Sequence, residues 1–330
     1  LNTLYIPETE YVKDVFTFGF DLQGDSADFT DFAGSPGRHK AVLQWGCYFH
    51  NELDLFDRVF LNGGVRFFRH NKFKRDAVWS ASGAYLHHET NTKIKASFDQ
   101  SFRSPTINDL YWPTDSSSWF GTTYITQGNP DLDPEEGDHY DIGFEQRLWD
   151  ERIMLGASYF YSRYENLISW TTEANGAFTV FTTQPNNVGK AYLRGVECEI
   201  MFEPNEAVSL FGNYTYISSK DMSADRPEED IYGVPRHALS AGANWRIIDP
   251  LNFNFDVTYV TERKYSSSAY KPNGYVKADC CLTYDLTDNF QVFGRIDNLF
   301  NADYMEVAGY PAPGTQFFIG GRIRLGGEKS

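Results

Sequence analysis

The side chains best suited to touching a ligand are aromatics on polar connecting segments. Tyr111, Trp112, Trp119, Phe120 and Tyr124 fall within 103–137, and Tyr232 falls within 219–236. Rings left on a polar loop are costly unless something covers them, and they make platforms for flat chelates and macrocycles. The same rings could instead pack against neighbouring loops or a membrane interface. The second segment also carries Asp221, Asp225, Glu228, Glu229 and Asp230. Such a charge run repels anions and favours neutral or metal-bridged ligands, or simply stays solvated.

Other chemistries find little support. Asp25, Asp28 and Asp31 lie in an acidic, glycine-containing stretch. Their oxygens suit Ca²⁺, but the spacing is not that of an EF-hand loop. His39, His50, His70 and the pair His87-His88 share no ligand geometry, because adjacent residues in a strand point to opposite faces. Four cysteines (Cys47, Cys198, Cys280, Cys281) have neither metal spacing nor the density of a disulfide framework. There is no nucleophile elbow and no glycine-rich phosphate loop. The expectation is a protein that is not an enzyme, with no catalytic residues, metal site or cofactor. A net charge of −16 argues against nucleic acid as a partner.

The elements that must position these loops are strands. The chain has 330 residues, 41% hydrophobic and 17% aromatic, yet its mean hydropathy is negative. No run approaches the ~18 apolar residues of a membrane helix. High aromatic content with a polar average suits a transmembrane β-barrel, where lipid-facing and lumen-facing residues alternate. A large soluble β-protein is the competing class. About fourteen strands are expected, near 12–22, 40–51, 58–69, 77–88, 92–102, 138–149, 152–168, 188–202, 207–218, 237–248, 251–263, 274–286, 290–298 and 316–325. Leu239, Ala241, Ala243 and Trp245 alternate with Ser240, Gly242, Asn244 and Arg246. Charged residues such as Lys277, Asp279, Arg295, Asp297, Arg322 and Arg324 on the second face would fill a dry core poorly. They suit a wet lumen, where they are expected to pair across neighbouring strands. Short connections (52–57, 89–91, 150–151, 203–206, 249–250, 287–289) alternate with long ones (23–39, 70–76, 103–137, 169–187, 219–236, 264–273, 299–315). Sorting loops by end is a property of outer-membrane barrels. Tyr159, Tyr161, Tyr214, Tyr216, Tyr259 and Tyr265 suit interfacial girdles. The expected fold is therefore all-β, a transmembrane antiparallel barrel, with residues 1–330 as a single β-barrel domain.

Five segments carry a family resemblance. Phe102-Arg103-Ser104-Pro105-Thr106-Ile107-Asn108-Asp109-Leu110-Tyr111 resembles the "FRAPxxxELY" segment of TonB-dependent outer-membrane receptors. Gly128-Asn129-Pro130-Asp131-Leu132-Asp133-Pro134-Glu135 is similar to their "GNPxLxPE" signature. Asn187 to Glu197 resembles "NxGxAxxxGxE", Val234-Pro235-Arg236-His237 resembles "vPrH", and Arg295 to Tyr304 resembles "NLFdxxY". All five stand in family order, from about residue 40 onward.

The resemblance implies a receptor in the bacterial outer membrane, amid outer-membrane lipid and lipopolysaccharide. It would import a metal chelate (ferric siderophore or haem) or cobalamin, with energy from the TonB complex. Family members are 22-stranded barrels filled by an N-terminal plug that carries the TonB-coupling box. Here plug and coupling box are expected to be absent, with 14 of 22 strands present, as in a C-terminal barrel portion, a split receptor or a self-closing barrel. A passive fourteen-stranded pore and a soluble β-rich binding module are the alternatives. Pro130, Pro134 and the acidic run 135–138 are expected to fix how the longest loop returns to its strand.

Overall fold

The computed structural model describes residues 2–6, 9, 11–30, 38–71, 77–223, 229–265 and 272–325. In chain order the elements are β1 (Asn2–Tyr5), β2 (Val12–Phe29), β3 (Arg38–Leu55), β4 (Val59–His70), β5 (Ala77–His87), β6 (Thr92–Arg103), α1 (Ile107–Tyr111), β7 (Asp115–Trp119), β8 (Thr122–Thr126), β9 (Glu135–Leu148), β10 (Ile153–Ala174), β11 (Val180–Asn205), β12 (Val208–Asp221), β13 (His237–Ile248), β14 (Leu251–Val260), β15 (Tyr275–Thr287), β16 (Phe290–Asp297), β17 (Met305–Val307), β18 (Tyr310–Pro311) and β19 (Gln316–Ile323).

Fourteen strands form one antiparallel ladder, β2 through β6, β9 through β16, then β19. Strand β1 adds to the free side of β2. Among the described register pairs, β19 pairs on one side only, with β16. Its Phe317 and Ile319 are 74% and 93% exposed, as befits an uncovered edge.

Burial is inverted relative to a water-soluble fold. On β9, Ile142 and Phe144 are exposed, while Gly143 is buried and Asp141 and Glu145 are half-buried. The register extends this face across the ladder: Ile94, Phe144, Ala157, Cys198, Tyr214, Leu239, Tyr259 and Val276 stand in one row on eight successive strands. A continuous apolar outer face of this kind is stable only against lipid. Aromatic clusters bound it at both ends: Phe98, Tyr140 and Tyr161 above, with centroids 4.7 and 6.3 Å apart, and Trp149 with Phe202 below, at 6.0 Å. Among the described residues no helix is long and apolar enough to cross a membrane.

The inner face is polar and ion-paired. Asp21 on β2 meets Arg66 on β4 at 2.8 Å, spanning the intervening β3. Gly46 makes that reach possible, since a Cβ there would lie 3.3 Å from Asp21 Oδ1 and 3.4 Å from Arg66 Nη2. Lys95 and Glu145 pair between β6 and β9 at 2.7 Å. The expectation of cross-strand pairing fails late in the chain. Lys277 pairs with Asp279 and Arg295 with Asp297, each two residues along its own strand, at 2.9 Å. Residues i and i+2 share a face, and these heads reach each other without crossing a ladder.

Two further expectations are corrected. The segment 169–187 is not a long loop: β10 and β11 run on for 22 and 26 residues and leave only 175–179 as their turn. Likewise β2 and β3 continue past the expected 22 and 40, to Phe29 and from Arg38. Both hairpins continue their ladders beyond the apolar row, where backbone pairing persists without an outward apolar face to announce it.

Candidate ligand-binding mouth

The longest connection, between β6 and β9, is a folded assembly. Thr106 and Asp109 form a reciprocal cap on α1: Asp109 N donates to Thr106 Oγ1 (3.1 Å) and Thr106 N to Asp109 Oδ2 (3.0 Å). The chain then returns beneath α1. Gly128 N donates to Trp112 O (3.0 Å) and Asn129 N to Asp109 O (2.8 Å). Only glycine fits at 128, because a Cβ would lie 2.5 Å from Trp112 N. Leu110, Leu132 and Val42 bury together, with Tyr111 and Ile168 packed on them.

The extended hairpin of β10 and β11 is sewn to this assembly. Asn129 Nδ2 donates to Pro185 O (3.0 Å). Asn187 accepts from Asp133 N (2.7 Å) and donates to Asp133 O and to Asn166 O (both 2.8 Å). Glu135 accepts from Ile168 N (2.9 Å) and pairs with Arg103 (3.3 Å). The GNPDLDPE segment therefore sets the geometry of the loop's return. Strand β8 pairs in parallel with the tip of β11.

The candidate aromatics do not converge on one point. Tyr111 packs on the small core, with Lys40 Nζ 4.9 Å from its ring centroid. Trp112 meets Trp170 edge-on at 6.3 Å. Trp119 and Phe120 stack at 5.5 Å on the turn joining β7 to β8, where Phe120 is 93% exposed. Tyr124 stacks on Phe181 at 5.5 Å. Tyr232 stands on the separate segment preceding β13. Trp170 and Phe181 were not among the expected contacts, because only the pairing of distant segments brings them beside Trp112 and Tyr124.

Beneath α1, at the upper rim of the lumen, a groove of about 820 Å³ is lined by Gln23, Asp25, Gln44, His70, Arg103 and Ser104 together with Val42 and Ile107. Sequence reasoning missed it, because each strand contributes only one or two polar residues.

The acidic segment proves to be partly neutralised. Asp230 pairs with Lys220 at 2.7 Å and with Lys264 and Arg236 at 2.8 Å. Hydrogen bonds from Lys220, then Lys264 and Arg236, hold its carboxyl far below the usual carboxylate range. Asp225 and Glu228 lie outside the described residues. So does Asp31, while Asp28 pairs with His39 at 2.9 Å and Asp25 accepts from Gln23 at 3.3 Å. Among the described residues no three His, Cys, Asp or Glu gather as a metal would require.

The chain matches known proteins along most of its length. Residues 5–299 match the family model described as TonB dependent receptor-like, beta-barrel. The vitamin B12 transporter BtuB of Photobacterium profundum is 28% identical over 297 residues, covering 88% of this chain and 45% of its own length. A variant of the ferric enterobactin receptor PfeA of Pseudomonas aeruginosa, solved with enterobactin, superposes with a TM-score of 0.82 at 18% identity, covering 97% of this chain and 53% of the receptor. The siderophore receptor PirA of Acinetobacter baumannii gives 0.78 at 18% identity, with 97% and 53% coverage. The chain thus spans about half the length of these relatives. By its motifs, its inverted barrel wall and the match over 5–299, the chain belongs to the TonB-dependent receptor-like β-barrel family.

Proposed function

We propose that the protein works in the outer membrane of a bacterial cell, as the barrel wall and loop mouth of a receptor. It imports a metal chelate or cobalamin using energy delivered by TonB. The observation that carries this reading is sidedness. Every elaborated connection, including α1, β7 and β8, rises at one end of a polar lumen, while the other end closes with short turns such as 56–58, 149–152 and 206–207. A ligand captured at the elaborated end lies over the lumen that must pass it. The names of the relatives support the ligand class: a vitamin B12 transporter on one side, ferric siderophore receptors on the other. Among the described residues β19 pairs with β16 alone, which speaks against a passive pore closed by these strands.

In this reading Trp119 and Phe120 are the first ligand contacts. Tyr124 and Trp112 form a second tier with Phe181 and Trp170, and Tyr232 approaches from the neighbouring loop. Tyr111 positions the assembly from below. The test uses cells lacking their own receptors for cobalamin and ferric catecholates, supplied with this protein and one limiting nutrient at a time. Growth on either supports the proposal, and growth on neither overturns it. Replacing Trp119 and Phe120 by alanine is expected to weaken binding of the active nutrient about tenfold, as loss of two exposed aromatic anchors does elsewhere.

A further inference from the structure

Three lumen-facing side chains form a hydrogen-bonded row that the transport reading does not use. Ser101 stands near the top of β6, His139 on β9 and Ser162 on β10. Ser101 Oγ lies 2.9 Å from His139 Nε2, and His139 Nδ1 lies 3.0 Å from Ser162 Oγ. Both contacts follow from the strand register, which sets Ser101 opposite Gly137 and Ser162 opposite His139. A Cβ on Gly137 would lie 2.5 Å from Ser101 Oγ and 3.0 Å from His139 Nε2, so glycine there keeps the pair intact. The Tyr164 ring meets the imidazole edge-on, with centroids 5.3 Å apart.

A hydroxyl, an imidazole within hydrogen-bond reach and a third group on the far ring nitrogen are the parts of an activated nucleophile. When Ser162 Oγ accepts from Nδ1–H, Nε2 is left to accept the Ser101 proton. Ser101 is favoured over Ser162 as the nucleophile, because it faces a glycine while Ser162 stands between His139 and Leu193. Access is present as well. The groove of about 820 Å³ beneath α1 begins at Phe102, the residue after Ser101. Two of its lining residues can donate to a substrate carbonyl. Arg103 carries five N–H donors and pairs with Glu135, while Gln44 accepts from Ser104 Oγ (3.3 Å) through its amide oxygen and keeps two N–H groups. Asp99, opposite His139 on β6, favours the imidazolium that forms.

We propose that Ser101 and His139 are a nucleophile and general base that take an acyl group from small esters entering the groove, with Ser162 as a positioning residue. The Ser101 proton passes to His139 Nε2 as Oγ bonds to the ester carbonyl carbon. The bond from that carbon to the leaving alcohol oxygen then breaks, and the alcohol takes the proton from Nε2. Water attacks the acyl-serine in the same way, which frees the acid and restores the Ser101 hydroxyl.

The experiment treats the detergent-extracted protein with p-nitrophenyl acetate and with a fluorophosphonate probe, and maps the labelled peptide by mass spectrometry. The expected result is a burst of nitrophenolate and a probe adduct on Ser101, both lost in Ser101→Ala. His139→Ala should slow acylation about hundredfold, the ordinary contribution of a general base. Ser162→Ala should slow it too, while Ser162→Thr keeps the hydroxyl and should keep the rate, a rescue that a packing role alone does not give. An unlabelled Ser101 in the unaltered protein, or labelling undiminished in His139→Ala, would overturn the proposal. An adduct on Ser162 in place of Ser101 would overturn the assigned roles. Mapping on the unaltered protein decides the matter even if a variant fails to fold, and its outcome is independent of whether the protein imports a ligand.

Discussion

Gly128 shows how much a single position can fix. Its hydrogen on Cα occupies space that any other residue would contest with the backbone of Tyr111 and Trp112. Gly128→Ala is expected to cost about 1–3 kcal/mol through forced displacement of α1. Limited proteolysis within 104–134 should then accelerate while the strands stay protected. A second residue-scale prediction concerns the turn after β5. Two hydrogen bonds from Arg58 to Glu89, at 2.7 and 3.3 Å, hold that carboxyl down from its ordinary 4.5 to about 2. A depressed carboxylate stabilises the fold above its unfolded value, so this contribution is full above about pH 4.5 and fades as pH falls toward 2. A carboxyl-resolved NMR titration should place the Glu89 midpoint near the low value and return it toward the ordinary one in Arg58→Ala. At this scale the sequence was only partly legible. Pro130 and Pro134 announced a rigid return, but Asn187 gave no sign that its amide would clasp Asp133 from a strand 54 positions away.

Strands β9 and β10 carry the membrane argument at the element scale. Ala157 faces outward opposite Phe144, and Ser158 faces the lumen opposite Gly143. Ala157→Arg is expected to cost about 2–4 kcal/mol near mid-membrane, and Ser158→Arg far less. Urea unfolding of the protein reconstituted in lipid vesicles compares the two neighbours, and equal costs would refute the assigned faces. Alternation made the membrane-crossing portion of each strand readable, because lipid demands an apolar residue at every second position. Above the apolar row that demand ends. Residues 169–187 therefore read as loop, although β10 and β11 stay paired from Glu173 with Thr182 down to Ile153 with Phe202. The helix α1 was missed for another reason: five residues are too few to show a helical period, although Thr106 and Asp109 already had capping-box spacing.

The described residues form a barrel wall whose outer face suits lipid, whose inner face carries ion pairs, and whose long connections rise at one end. That much followed from alternation, loop sorting and the five motifs. The shape of the mouth did not, because the distribution of Trp112, Trp119, Phe120 and Tyr124 over separate contacts depends on pairings between distant strands. The central claim is energy-coupled import, and the most direct measurement is uptake of radiolabelled ligand by cells producing the protein, with and without TonB. The account predicts saturable uptake that falls to background when TonB is removed or the proton-motive force is dissipated, while surface binding persists. Uptake that continues undiminished without TonB would contradict it.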